Sequence, residues 1–216
     1  MDIRLVIFDF DGTLADTRKP IVIAKQETMK NAGLKVMDEE TCAFSIGLTA
    51  KAGFQKFYPD LPEETLNTLV TDYRRRFDEL IVTMPPERFG GVDKVLAKLE
   101  KRNIIKTIAT ARNRKSLESF LAGWGMNDTF QYILCGEDTK RLKPYPDPVL
   151  KTLKELSFEA ENALVVGDMP VDIEMGKGAG VFTCAVTYGN SDRVSLKNAG
   201  ADFVIDSIEE LPDIIF

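Results

Sequence analysis

The chain has 216 residues, 34 acidic against 28 basic side chains, a formal charge of −6 and no histidine. Its length supports one domain or two unequal ones with a sizeable core, and a composition 44% hydrophobic and 29% charged excludes a disordered or fibrous chain. The acidic balance argues against a nucleic-acid partner, which would need clustered Lys and Arg. The missing histidine excludes Ser-His-Asp and Cys-His catalysis and His-ligated metals, leaving carboxylates, Lys, Tyr and Cys for acid–base work near neutral pH.

The chain opens with Ile3 to Phe8, a β-branched and aromatic run stopped by Asp9-Phe10-Asp11-Gly12, which reads as a buried strand entering a turn. Residues 17 to 84 then carry helix-compatible patterns, Ile21 to Ala32 and Glu63 to Val82, without a convincing strand. Asp16-Thr17 marks the entry to this segment and Met84-Pro85-Pro86 its exit. Beyond Gly90-Gly91, helical spacing at Val92, Val95, Leu96 and Leu99, at Leu117, Phe120 and Leu121, and at Val149, Leu150, Leu153 and Leu156 alternates with short strands. Those strands are expected at Ile104 to Ala109, Tyr132 to Cys135, Ala163 to Val166, Val181 to Val186 and Phe203 to Ile205. Alternation of this kind predicts an α/β fold, a doubly wound parallel sheet covered by helices on both faces.

No apolar run approaches the roughly 20 residues of a membrane span, and Asp2 and Arg4 interrupt any signal-peptide core. Cys42, Cys135 and Cys184 are odd in number, widely spaced and form no CxxC, so free thiols are expected rather than disulfides or a zinc site. A cytoplasmic protein without membrane or nucleic-acid partners is expected, as a monomer or homodimer.

In doubly wound sheets ligands bind beyond the carboxyl ends of the strands, and four such ends carry suggestive chemistry. In Asp9-Phe10-Asp11-Gly12-Thr13 two carboxylates leave one strand on the same side, suited to a nucleophile and an acid–base group; the alternative is a plain turn. Thr110-Ala111-Arg112 offers a hydroxyl and free amides before a helix, either an anion site or a helix N-cap. Lys143 sits in the proline-stiffened Leu142 to Pro148 just before a helix near Asp147, or is a solvated lysine. Gly167-Asp168-Met169-Pro170-Val171-Asp172 ends a strand and starts a helix, its acids serving as dipole partners or, with Asp9, as ligands for a hard cation. Together these groups suit phosphoryl transfer.

The same motifs, in this order and spacing, resemble the haloacid dehalogenase-like superfamily, in the subgroup typified by phosphoglycolate phosphatase with a helical cap inserted after the first strand. The resemblance implies a Rossmann-like core from residues 1–16 and 85–216 and a cap from 17–84. It implies Asp9 as the nucleophile forming an aspartyl-phosphate, Asp11 as the acid–base group, and Thr110 and Lys143 as holders of the phosphoryl oxygens. Mg²⁺ is implied at Asp9, the Asp11 carbonyl and Asp168, with Asp172 assisting. Gly12, Thr13, Ala111 and Arg112 are expected to line the substrate. Many relatives have Asn where this chain has Ala111, which leaves Arg112 to reach the substrate. From the cap, Thr49 and Lys51 lie where relatives direct a loop into the site, and at most one or two of Arg74, Arg75 and Arg76 can face it.

The implied function is a Mg²⁺-dependent phosphatase acting on a small phosphorylated metabolite, phosphoglycolate first. Inorganic pyrophosphate and a sugar-phosphate mutase of the β-phosphoglucomutase kind are the alternatives, and a non-catalytic binding role is third. Asp11 argues against a dehalogenase or phosphonate hydrolase, and the absence of histidine against a mutase.

Overall fold

The computed structural model describes residues 2–216. Its central strand, β1 (Leu5–Phe8), is buried at all four positions, as a strand must be when helices cover both faces of its sheet. Leu5 and Ile7 join Val149, Leu153, Val165 and Met175 on one face, whereas Val6 and Phe8 join Val95, Leu99, Leu117 and Leu164 on the other. One four-residue strand thereby anchors two cores, because its side chains alternate.

Five further strands follow: β2 (Ile105–Ala109), β3 (Tyr132–Leu134), β4 (Ala163–Gly167), β5 (Phe182–Val186) and β6 (Phe203–Ile205). Every pairing is parallel, in the order β3-β2-β1-β4-β5-β6. This is the doubly wound architecture expected from the alternation, with its strand ends within two residues of the expected ones. The order reverses between β1 and β4, where a crevice opens beyond the strand ends. Phe8 lies in register with Val166, and the Asp9 amide donates to the Val166 carbonyl at 2.8 Å. The chain after β1 and the chain after β4 therefore leave the sheet side by side.

Between β1 and the next core helix lie α1 (Arg18–Asn31), α2 (Glu39–Ala43), α3 (Ala50–Phe57) and α4 (Glu63–Thr83). The expected helices at 21–32 and 63–82 are α1 and α4. The two short ones had no readable period, yet each is capped locally: Asp38 accepts from the Thr41 amide at 2.7 Å, and Thr49 from the Ala52 amide at 3.2 Å. Here α1 and α3 pack on α4. An aromatic chain runs from Phe54 through Tyr73 and Phe77 to Phe120 in the core, with centroids 6.0, 6.2 and 6.3 Å apart. The two connections of this segment also run together, the Asp16 amide donating to the Glu87 carbonyl at 2.8 Å.

The remaining helices are α5 (Val92–Lys101), α6 (Arg114–Gly123), α7 (Asp147–Leu156), α8 (Pro170–Gly178), α9 (Arg193–Asn198) and α10 (Leu211–Ile215). Among the described residues no helix is long and apolar enough to cross a membrane.

Candidate active site

Beyond the ends of β1 and β4, Asp9, Asp168 and Asp172 each place a carboxylate oxygen within 4.8 Å of the others, and all three are buried. Lys143 reaches the same point from the segment before α7. Its Nζ lies 2.5 Å from Asp9 Oδ1 and 2.6 Å from Asp172 Oδ1, the second an ion pair without hydrogen-bond alignment. Asp172 sits in the first turn of α8, where its Oδ2 accepts from the Met169 amide at 3.0 Å. Asp168 is held by Thr13 Oγ1 at 3.1 Å and by the amide and side chain of Asn190 at 2.7 and 2.9 Å. Gly12 makes this closeness possible. At φ +89° it adopts a conformation that L side chains avoid, and a Cβ there would fall 2.2 Å from Asp168 Oδ2.

Two buried carboxylates thus pair with one buried ammonium, and a third lies beside them. Burial raises Asp9 well above the usual carboxylate range; Lys143 pulls it back, while Asp172 and Asp168 push it further up. Burial and the Asp172 charge raise Asp168 to about 7, against the hydrogen bonds from Asn190 and Thr13. For Lys143, burial alone would lower the pKa, but Asp172 and Asp9 outweigh it and hold the amine above the ordinary lysine value. Surplus buried negative charge on an all-oxygen donor set fits a hard divalent cation such as Mg²⁺.

Asp11 belongs to a second group beside the first. Arg112 donates through Nε to its Oδ2 at 3.0 Å and through Nη2 to Oδ1, and Thr17 Oγ1 donates to Oδ1 at 2.6 Å. Thr110 is buried after β2, and its hydroxyl accepts from the Arg112 amide at 3.1 Å. It is not the cap of the following helix: Asn113 caps α6, accepting from the Ser116 amide at 3.0 Å.

Asp11 and Arg112 also line a cavity of about 820 Å³, together with Ala111, Thr49 and Lys51. Lys51 is ion-paired with Glu63 and partly exposed. Of the three successive arginines only Arg74 lines the cavity; Arg75 pairs with Asp72 and Glu79, and Arg76 with Asp72 and Glu27. Of the residues singled out in the sequence, Asp9, Lys143, Asp168 and Asp172 form the buried cluster with Gly12 and Thr13 against Asp168, and Asp11, Ala111, Arg112, Thr49 and Lys51 line the cavity, whereas Thr110 lies outside both and touches Arg112. Sequence reasoning missed Asn190, although it follows β5 at the same edge of the sheet as the other motifs. It also missed Lys25, whose signal is a lysine one turn from Ile21 on the buried stripe of α1.

The sequence profile of the haloacid dehalogenase-like hydrolases matches residues 6–186. The chain is 30% identical over 219 residues to pyrophosphatase PpaX of Oceanobacillus iheyensis, covering 100% of this chain and 98% of that one. It is also 30% identical over 217 residues to the N-acetylmuramic acid 6-phosphate phosphatase of Pseudomonas putida, covering 100% and 97%. The crystal structure of a predicted phosphoglycolate phosphatase from Haemophilus somnus shares the fold, with a TM-score of 0.90 at 20% identity over 100% of this chain and 99% of that one. The profile match, the full-length relatives and the fold agree: the chain belongs to the haloacid dehalogenase-like hydrolases.

Proposed function

We propose that this hydrolase is a Mg²⁺-dependent phosphatase that releases phosphate from a small phosphorylated metabolite through an aspartyl-phosphate on Asp9. The observation that carries this reading is the buried set of Asp9, Asp168, Asp172 and Lys143 at the reversal point of the sheet, with Asp11 alongside.

An Asp9 carboxylate oxygen attacks phosphorus, and the bond from phosphorus to the leaving oxygen breaks as Asp11 gives that oxygen a proton. Water then attacks the phosphorus of the acyl phosphate and gives its proton to Asp11. Phosphate departs and the Asp9 carboxylate is restored. Lys143, the Thr110 hydroxyl and the amides of Gly12, Thr13 and Ala111 hold the phosphoryl oxygens. Asp9, the Asp11 carbonyl and Asp168 would hold Mg²⁺, with Asp172 orienting the set through Lys143. Bound Mg²⁺ supplies neutralisation of phosphoryl-oxygen charge. To act as the acid, Asp11 must first let go of Arg112 and take up a proton as the substrate enters.

In this reading residues 1–16 and 85–216 form the catalytic core, and 17–84 form a cap that swings on the paired connections at Asp16 and Glu87 and excludes water when closed. Thr49 and Lys51 are its contacts to the substrate. Three buried free cysteines suit a reducing compartment such as the cytoplasm. Phosphoglycolate is the first candidate substrate. Pyrophosphate is the second reading, favoured by the full-length likeness to a pyrophosphatase.

Phosphate release should be measured on phosphoglycolate, pyrophosphate, nucleotides and hexose phosphates, with Mg²⁺ and with a chelator. One preferred, metal-dependent substrate is expected. Silence across the panel from folded protein would overturn the phosphatase reading.

A further inference from the structure

Three lysines are buried among the described residues: Lys25, Lys106 and Lys143. Lys106 pairs with Glu100, and Lys143 with two aspartates. Lys25 has no carboxylate oxygen within 4.0 Å. Only 3% exposed, it occupies a core-facing position of α1 between Ile21 and Met29, where an apolar side chain would be the stable choice. Its Nζ lies 2.5 Å from Ser45 Oγ and 3.5 Å from the Cys42 carbonyl, and Ser45 Oγ donates onward to that carbonyl at 2.7 Å. Two neutral acceptors for three N–H groups leave one donor unmatched and the charge without a counter-ion. Burying a cation on such terms is unfavourable unless an anion arrives to meet it.

The place where an anion would arrive is already formed. Lys25 lines the same cavity as Asp11, the proton donor to the leaving oxygen in the reading above, so the leaving group of a substrate must enter that cavity. Of the other cations on its wall, Arg112 is matched by Asp11 and Lys51 by Glu63, and Arg74 and Lys115 are exposed to water, so Lys25 alone is both buried and without a counter-ion. The lowered basicity of Lys25, which burial brings from 10.5 to about 8 against the pull of Cys42 and Asp11, shows the same unmet charge.

We propose that Lys25 and Ser45 form an anion subsite that receives a second negatively charged group, carboxylate or phosphate, carried by the leaving group of the substrate. The inference rests on the phosphatase reading and narrows it. The preferred substrates are phosphate esters or anhydrides with an anionic leaving group, not those of neutral alcohols or nucleosides. No bond is made or broken at Lys25; it binds and orients.

The test is calorimetric binding, with Mg²⁺ present, of 3-phosphonopropionate and its one-carbon-longer homologue against propylphosphonate, which lacks the carboxylate. At least one carboxylated probe is expected to bind about 10- to 100-fold more tightly to the wild-type protein, the size of a charged hydrogen bond in a desolvated site. The ratio should collapse toward one in Lys25→Met, survive in part in Lys25→Arg, and fall less in Ser45→Ala. A wild-type ratio near one for both probes, or a ratio unchanged in Lys25→Met, overturns the subsite. Methyl phosphate hydrolysis, measured alongside, separates the two claims. Hydrolysis with an unchanged ratio removes the subsite alone, and a Lys25-dependent ratio without hydrolysis on any phosphate ester leaves the subsite standing and removes the phosphatase reading.

Discussion

Arg112 and Asp11 form an ion pair shielded from solvent, with side chains 7% and 10% exposed. The guanidinium is boxed by aromatic rings, its carbon 4.8 Å from the centroid of Phe77, 4.9 Å from Phe120 and 5.6 Å from Phe10. Phe77 belongs to α4 and Phe120 to α6, so one cation joins the helical segment, the core and the carboxylate proposed for acid–base work. Removing one half of such a pair leaves a buried charge unmatched. Arg112→Met is therefore expected to cost about 3 kcal/mol in urea denaturation. Adding Asp11→Asn should recover a large part of that loss, because the orphaned carboxylate goes with it. Simple additivity of the two changes would show that the pair is not coupled.

Asp9→Asn keeps the shape of the side chain and removes the proposed nucleophile. Phosphate release should fall by about 10⁴-fold or more. The thermal midpoint should not fall, since the change takes one negative charge out of a cluster of three. Calorimetry and a phosphate assay on the same preparation check both halves, and near-wild-type turnover would remove Asp9 from its role.

Metal binding should be visible without turnover. A cation that binds the folded chain alone stabilises it by about 2.7 kcal/mol at a hundred times its dissociation constant. Mg²⁺ is expected to raise Tm in the wild-type protein and to have little effect on Asp168→Asn. An equal rise in both would place the ion elsewhere.

The buried amine of Lys25 gives a pH-dependent stability of defined sign. Its pKa is about 8 in the folded chain and near 10.5 when exposed. Below pH 8 both states hold the proton, and burial of the cation costs the native state about 3 kcal/mol. Between about 8 and 10.5 the unfolded chain binds more protons than the folded one, so this cost shrinks as pH rises. Lys25→Met should exceed the wild-type Tm by about 7 °C at pH 7, with the gap closing near pH 10. A gap that is constant with pH, or reversed at pH 7, contradicts this.

Much of the architecture was legible because buried parallel strands are short apolar runs, and Leu5 to Phe8 and Ala163 to Val166 can be little else. The strand-end motifs were legible because doubly wound sheets gather such ends, and three of the four supply one buried cluster: Lys143 pairs with Asp9 and Asp172, and Asp168 lies within 4.8 Å of both carboxylates. Short α2 and α3 escaped because five and eight residues carry too little periodicity. The grip of Arg112 on Asp11 spans 101 residues and depends on how α6 meets β1, which no local pattern records. Lys25 escaped for a different reason: a lysine in a helix reads as solvated until its neighbours are seen.

The most direct test of the account is a rapid acid quench with ³²P-labelled substrate, followed by peptide mapping. The account predicts a transient acid-stable, base-labile label on the peptide containing Asp9, absent from Asp9→Asn. Phosphate release by wild-type protein with no label on Asp9 at any time, and turnover retained by Asp9→Asn, would contradict it.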